Sequence, residues 1–246
     1  MKERLMDLSG KTAIVTGASR GIGRATALAL AARGANVVIG CRIRLDAAQE
    51  VVRLIEDDGG RAFARAGDVG DENHVVALFD EAIDHFGGVD IVVANAGRQY
   101  VAPFAGLTLQ NFDEHLVGEL RGYFLTLREA ARRVQDHGRI IAVSTVNTRM
   151  LLPEMGMYLG SKGAVEQFVR VLSRELGPRQ ITVNAVSPGA TDTDAFQPEM
   201  LDLAVSLSAL GRLGQPEDVA ELIAFLAGPG GRWVTNQNIL AGGGLA

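Results

Sequence analysis

The chain has 246 residues, 47% of them hydrophobic, with 30 glycines and a formal net charge of −5. That length suits one large α/β domain with an ample core, and the acidic balance argues against nucleic acid, whose phosphates require a basic face. One cysteine, Cys41, excludes an internal disulfide and a cysteine-built zinc site, and the four histidines show no ligand spacing. No apolar run reaches the ~18–20 residues of a membrane span, and Met1–Asp7 lacks the apolar core of a secretion signal, so the expectation is a soluble, cytoplasmic, metal-free protein.

Short β-branched runs alternate with longer Ala/Leu-rich amphipathic stretches. Thr12–Thr16 reads as a buried strand, Gly21–Arg33 as a helix ended by Gly34, and Asn36–Ile39 as a second strand. Leu45–Asp58 is helical and stops at Gly59-Gly60; Arg61–Ala66 is a third strand. Asp71–Phe86 reads as a helix with Asp71 as a first-turn acid. Val89–Ala94 is the fourth strand, Leu109–Val134 a fourth helix with an uncertain break, and Arg139–Ser144 the fifth strand. Tyr158–Leu176 is helical, Ile181–Val186 a sixth strand, Pro216–Leu226 a helix, and Asn238–Leu240 ends the sheet. Strands without polar alternation, separated by helices, predict a doubly wound parallel sheet, Rossmann-like, with helices on both faces of a single domain. Thr191–Leu213 fits no strand, and a long excursion of that kind is expected to be a lid over a functional site.

Thr16–Gly23 reads TGASRGIG between the first strand and the first helix. Gly17 permits a sharp turn, while Gly21 and Gly23 let backbone approach a pyrophosphate that meets the helix N-terminus. This loop resembles that of the short-chain dehydrogenase/reductase family, in its single-domain branch. Further matches follow in the same order: Asp68 after the third strand, Asn95-Ala96-Gly97 after the fourth, Tyr158-x-x-x-Lys162, Pro188-Gly189 followed by Thr193, and the tail GRLGQPEDVAELIAFLA. The resemblance spans nearly the whole chain. It implies a cofactor cradle of Gly17, Ser19, Arg20, Gly21, Ile22 and Gly23, with Asp68 and Val69 flanking the adenine and Asn95, Ala96 and Gly97 at the adjacent strand end. Asp68 read without the resemblance is a helix cap. Pro188, Gly189 and Thr191 are expected at the nicotinamide, and Thr193 near its phosphate or carboxamide.

NAD sites place a carboxylate after the second strand for the ribose hydroxyls. Here Cys41 stands in that place, Arg42 follows, and Arg20 adds a second cation. Guanidinium groups suit a 2′-phosphate, so NADPH/NADP+ is expected over NADH.

Tyr158 and Lys162, four apart, share a helix face. A tyrosine exchanges protons reluctantly near neutrality, its reference pKa being about 10, and a neighbouring ammonium favours the phenolate, so Lys162 is expected to make Tyr158 a usable acid or base. The resemblance gives Lys162 a hydrogen bond to the nicotinamide ribose as well. It also implies a serine thirteen residues before the tyrosine, where this chain has Thr145; Ser144 beside it is expected to point to the other side of the strand. A larger departure lies in the fourth helix. The family pattern would place an asparagine, which holds a proton-relaying water, before Leu120-Arg121-Gly122-Tyr123-Phe124, and this chain has Glu119. Glu119 is expected to pair with Lys162, to relay protons itself, or to swing away.

Met150, Leu151, Leu152, Met155 and Met157, with Phe196, Met200 and Leu201 from the lid, are expected to wall an apolar substrate site. Within that family the chain resembles 3-oxoacyl-acyl-carrier-protein reductases, which implies reduction of a ketone or acyl thioester and an acyl carrier protein as a partner. Arg179 lies where such enzymes carry a docking cation, but Asp136 lies near the place of another. Alternatives are a free ketone, sugar or steroid-like alcohol as substrate, or a catalytically weak NADPH-binding sensor or scaffold kept open by Glu119. The resemblance further implies a homotetramer built through paired long helices.

Overall fold

The first strand shows how the chain divides its apolar residues. β1 (Thr12–Val15) is buried at every position, because successive side chains leave opposite faces and both faces are covered. Ala13 and Val15 enter one core, and Ile14 enters the other. The computed structural model describes residues 6–246, in which seven parallel strands lie in the order β3-β2-β1-β4-β5-β6-β7. The remaining strands are β2 (Asn36–Cys41), β3 (Ala62–Ala66), β4 (Val89–Ala94), β5 (Val134–Val143), β6 (Thr182–Pro188) and β7 (Asn238–Ala241). Most of the opening segment read for a secretion signal lies outside the described residues.

One face of the sheet is covered by α1 (Gly21–Ala31), α2 (Leu45–Asp57) and α9 (Pro216–Ala227), through Leu30, Val51, Ile55 and Ile223. The other is covered by α3 (Glu72–Phe86), α5 (Gly118–Arg133) and α7 (Gly156–Glu175), through Phe79, Tyr123, Leu127 and Val169. Each such side chain contributes roughly 1.5–3 kcal/mol on burial, so two continuous cores, rather than any polar contact, hold the layers. Three short helices complete the set: α4 (Leu109–Asn111), α6 (Asn147–Met150) and α8 (Leu201–Leu207). No helix among the described residues is long and apolar enough to cross a membrane.

Three segments differ from the sequence reading. The helix expected over 109–134 with a break has that break at a π turn, Phe112–Val117, between α4 and α5, and it ends one residue early. Val134 leaves that helix as the first residue of β5 and pairs with Val89, after which the register slips and Arg139 faces Ile91. The polar residues Gln135–His137 bulge outward, with His137 at φ 65°. In the expected lid, a 3-10 turn at Pro198–Met200 leads into α8. Asp71 is the N-cap of α3 rather than its first-turn acid, its carboxylate accepting from the Asn73 N–H at 2.9 Å.

Candidate active site

The strand order reverses between β1 and β4, which opens a crevice beyond their C-terminal ends. The loop from Thr16 to Gly23 enters it with Gly17 at φ 66° and Gly21 at φ 54°, a region open to glycine at no steric cost. A Cβ on Gly23 would sit 2.3 Å from the Gly17 carbonyl oxygen, so the turn closes only around glycine. Asn95, at the end of β4, locks the loop: its Nδ2 donates to the carbonyls of Thr16 at 2.9 Å and Gly17 at 3.2 Å. The N–H groups of Asn95 and Ala96 both donate to the Thr16 hydroxyl at 3.0 Å. Arg20, the N-cap of α1, offers no side-chain cap to the helix. The first-turn N–H groups of Gly21, Ile22 and Gly23 therefore stand at the cleft, with the positive end of the helix dipole behind them.

Arg20 meets a partner that the sequence reading missed. Asp194, in the expected lid, accepts from Arg20 Nη1 at 3.0 Å and from Arg44 Nη1 at 3.2 Å. The hydrogen bond from Arg20, reinforced by Arg44, holds the Asp194 carboxyl below the usual carboxylate range. Arg42 is exposed and forms no ion pair among the described residues, so Arg44, two positions on, is the guanidinium that joins Arg20. A second arginine so soon after β2 was the available signal. Cys41 is buried at the end of that strand, and burial pushes its thiol up. Asp68 is exposed and closes its own turn onto the Gly70 N–H at 2.8 Å, while Asp71 caps α3, which corrects the reading of Asp68 as a cap. Val69 packs where a side chain on Gly122 would clash. Ser19, Arg42, Asp68, Val69 and Ala96 do not line the cleft, whereas Gly97, Pro188, Gly189, Thr191 and Thr193 do.

Tyr158 and Lys162 both face the cleft from α7, one turn apart. Lys162 is buried, with its Nζ 2.6 Å from the hydroxyl of Tyr123, 3.2 Å from the Val143 carbonyl and 3.4 Å from Glu119 Oε1. The Glu119 side chain is only 5% exposed, which corrects the expectation that it swings away. Its Oε2 accepts from the Arg98 N–H at 2.9 Å, and its Oε1 has no hydrogen-bond partner. Thr145 is buried on the segment following β5 and lines the cleft beside Tyr158. Ser144, which also borders the cleft, donates its hydroxyl to Glu166 at 2.8 Å. Burial pushes the Tyr158 phenol above its ordinary value; the Lys162 ammonium pulls it down, Tyr123 and then Glu119 oppose that pull, and the Thr145 hydroxyl adds a smaller downward contribution. The net direction is upward, so the expected depression by Lys162 is real as a contribution and reversed as a sum.

The cleft measures about 390 Å³ and runs from Gly17 to an apolar wall. Met150, Leu152, Met155, Phe196 and Met200 line that wall as expected, and Leu203, Leu207 and Leu245 join them. Leu151 is 72% exposed and left-handed at φ 55°, Leu201 is exposed, and Met157 is buried away from the opening, so those three do not line it. Leu245 comes from the end of the chain, where no local pattern marks it as part of a wall.

A family model described as "Enoyl-(Acyl carrier protein) reductase" matches residues 17–246. A versicolorin reductase of Emericella nidulans is 41% identical over 254 residues, covering 96% of each chain. The crystal structure of a dehydrogenase/reductase from Sinorhizobium meliloti superposes with a TM-score of 0.95 at 40% identity, covering 99% of this chain and 98% of that one. The angucycline C-6 ketoreductase LanV, crystallised with bound NADP, superposes with a TM-score of 0.92 at 40% identity, covering 97% and 96%. Relatives named as short-chain dehydrogenases match the same span at 38% identity. With the glycine loop, the Tyr158–Lys162 pair and this likeness along the whole chain in agreement, the protein belongs to the short-chain dehydrogenase/reductase family of NAD(P)-linked oxidoreductases.

Proposed function

We propose that the protein reduces a bulky, hydrophobic free ketone to a secondary alcohol with NADPH, Tyr158 giving the proton to the carbonyl oxygen. The observation that carries this reading is the meeting of Tyr158, Lys162 and Thr145 between a glycine-built cradle and an apolar wall in one cleft. The cradle fits a dinucleotide: its turn tolerates no Cβ at Gly23, and the uncapped first turn of α1 offers N–H groups to a pyrophosphate. When bound, the nicotinamide supplies the hydride. The chain's own groups orient the carbonyl through the Thr145 hydroxyl, deliver the proton from Tyr158 Oη, and keep a positive charge beneath it at Lys162 Nζ.

The choice of a free ketone rests on two observations. Arg179, the expected docking cation for an acyl carrier protein, is occupied: Nε binds Asp136 at 2.9 Å and Nη1 binds the Ala131 carbonyl at 2.9 Å. The wall is aliphatic and aromatic, which disfavours a sugar. A versicolorin reductase and an angucycline ketoreductase among the relatives support a polycyclic aromatic ketone. Steady-state NADPH oxidation against polycyclic ketones, 3-oxoacyl thioesters and carrier-bound 3-oxoacyl groups tests this. Turnover only on the carrier-bound substrates would overturn the free ketone, and cofactor binding without turnover on any ketone would favour a sensor or scaffold. The homotetramer belongs to the same reading, resting on the outward apolar side chains Phe124 of α5 and Val171 of α7; light scattering in solution tests it.

NADPH is expected to bind more tightly than NADH, and Arg20→Ala or Arg44→Ala to narrow the gap about tenfold, the loss of one charge-assisted hydrogen bond. Titration of both cofactors by fluorescence reads the effect, and equal affinities in the unmodified protein would sink it. Glu119→Asn is expected to move the alkaline limb of the reduction rate to lower pH and to leave its plateau unchanged. Glu119 is one of the charges that raise Tyr158, reduction needs the protonated phenol, and activity is lost as pH rises through its pKa. A lower plateau would instead make Glu119 a proton carrier.

A further inference from the structure

The ammonium of Lys162 lies deeper than its partnership with Tyr158 requires. Its Nζ is 4.3 Å from the centroid of the Tyr123 ring and 5.6 Å from that of Tyr158. Tyr123 is 1% exposed, and its hydroxyl donates to the Val143 carbonyl at 2.8 Å while accepting from Lys162 Nζ at 2.6 Å. A phenol oxygen can do both at once, and here both roles are used. Tyr123 also stands one helical turn after Glu119 on α5, so hydroxyl and carboxylate reach the same ammonium from one helix face. The two acceptors are unequal: the hydroxyl is within hydrogen-bond distance, and the nearer carboxylate oxygen, at 3.4 Å, has no hydrogen-bond partner.

We infer that Tyr123 is a positioning residue for ketone reduction: its hydroxyl holds the Lys162 ammonium on the floor of the cleft and keeps it from collapsing onto the Glu119 carboxylate. The inference rests on the reading of Tyr158 as proton donor. Four groups face the ammonium: Glu119 and Tyr123 from α5, Tyr158 from α7, and the Val143 carbonyl from β5. Burial, and then Glu119, push the Tyr123 phenol well above its ordinary value, so it stays neutral and serves as an acceptor, not as a second acid. Without that acceptor the ammonium closes from 3.4 Å onto Glu119 Oε1, its ion-pair partner, which accepts no hydrogen bond while the Tyr123 hydroxyl is in place. The ammonium's charge is then neutralised at closer range, its pull on Tyr158 weakens, and the phenol becomes a poorer acid.

Tyr123→Phe keeps the ring and removes one oxygen. It is expected to lower kcat at neutral pH about tenfold, the scale of one hydrogen bond to a charged group, and to move the alkaline limb to higher pH. In a Glu119→Asn background the same substitution should leave the limb where Glu119→Asn alone puts it, because no carboxylate remains to capture the ammonium. A purely structural role would lower kcat equally at every pH, and an unmoved or downward-moved limb would overturn the inference. A crystal structure of the unmodified protein with NADP+ gives a reading independent of any variant's folding. Nζ should still be bonded to the Tyr123 hydroxyl, and its departure from that oxygen would overturn the inference too. Retained turnover in Tyr158→Phe would fail the underlying reading instead, which separates the two failures.

Discussion

Replacing Tyr158 with phenylalanine is expected to abolish reduction, with kcat falling at least about a thousandfold, within the range that a positioned general acid contributes. NADPH affinity should change little, because the ring and its packing remain and only the proton donor is lost. The physical case is geometric before it is electrostatic. Tyr158 lies at the cleft beside Thr145, one helical turn from the ammonium of Lys162, and no other tyrosine lines that opening. Tyr123, the other phenol near Lys162, spends its proton on the Val143 carbonyl and is sealed from the cleft. Because burial raises Tyr158, the phenol stays protonated through neutral pH, and reduction should be flat there and fall only on the alkaline side. Single-turnover rates for the variant, with cofactor binding measured separately, decide the matter. Most of the rate surviving in Tyr158→Phe would remove Tyr158 from the chemistry.

Lys162→Met is expected to produce the second large effect, and on stability as well as on turnover. The Lys162 and Glu119 side chains are 4% and 5% exposed, and among the described residues the only hydrogen bond to the Glu119 carboxylate comes from the Arg98 N–H. Removing one partner of a buried ion pair strands the other charge, at a cost of about 3–5 kcal/mol. For a domain of this size that lowers Tm by roughly 10 °C. Adding Glu119→Gln in the same chain should restore most of the loss, since glutamine still accepts from Arg98 and carries no charge. Thermal unfolding of the single and double variants reads this directly. A single variant that melts within about 2 °C of the unmodified protein would mean that the carboxylate is not stranded.

Much of the molecule is legible from local pattern. The run Thr12–Val15, the glycines after it, and the amphipathic period of Leu45–Asp57 each specify their own element, because strand, turn and helix geometry repeat over distances shorter than the element itself. The pair Tyr158 and Lys162 is legible for the same reason, since four residues on one helix always return to the same face. The difficult stretch is 109–134. A π turn adds a residue to the helix and rotates everything after it by about 100°, so the phase of Glu119 and Tyr123 cannot be carried forward from Leu109.

The order of elements and the chemistry of the two cleft walls are therefore properties of the sequence by itself. Three features were decided only by tertiary structure. Glu119 and Tyr123 share one ammonium because α5 packs beside α7 on the same face of the sheet. Asp194 reaches Arg20 and Arg44 because the segment after β6 crosses back over the loops that follow β1 and β2. Leu245 enters the wall because the chain returns there after β7. In each case the partners are far apart along the chain, and no local period links them. Their meeting is set by the strand order and by the parallel crossovers that bring the loops to one end of the sheet.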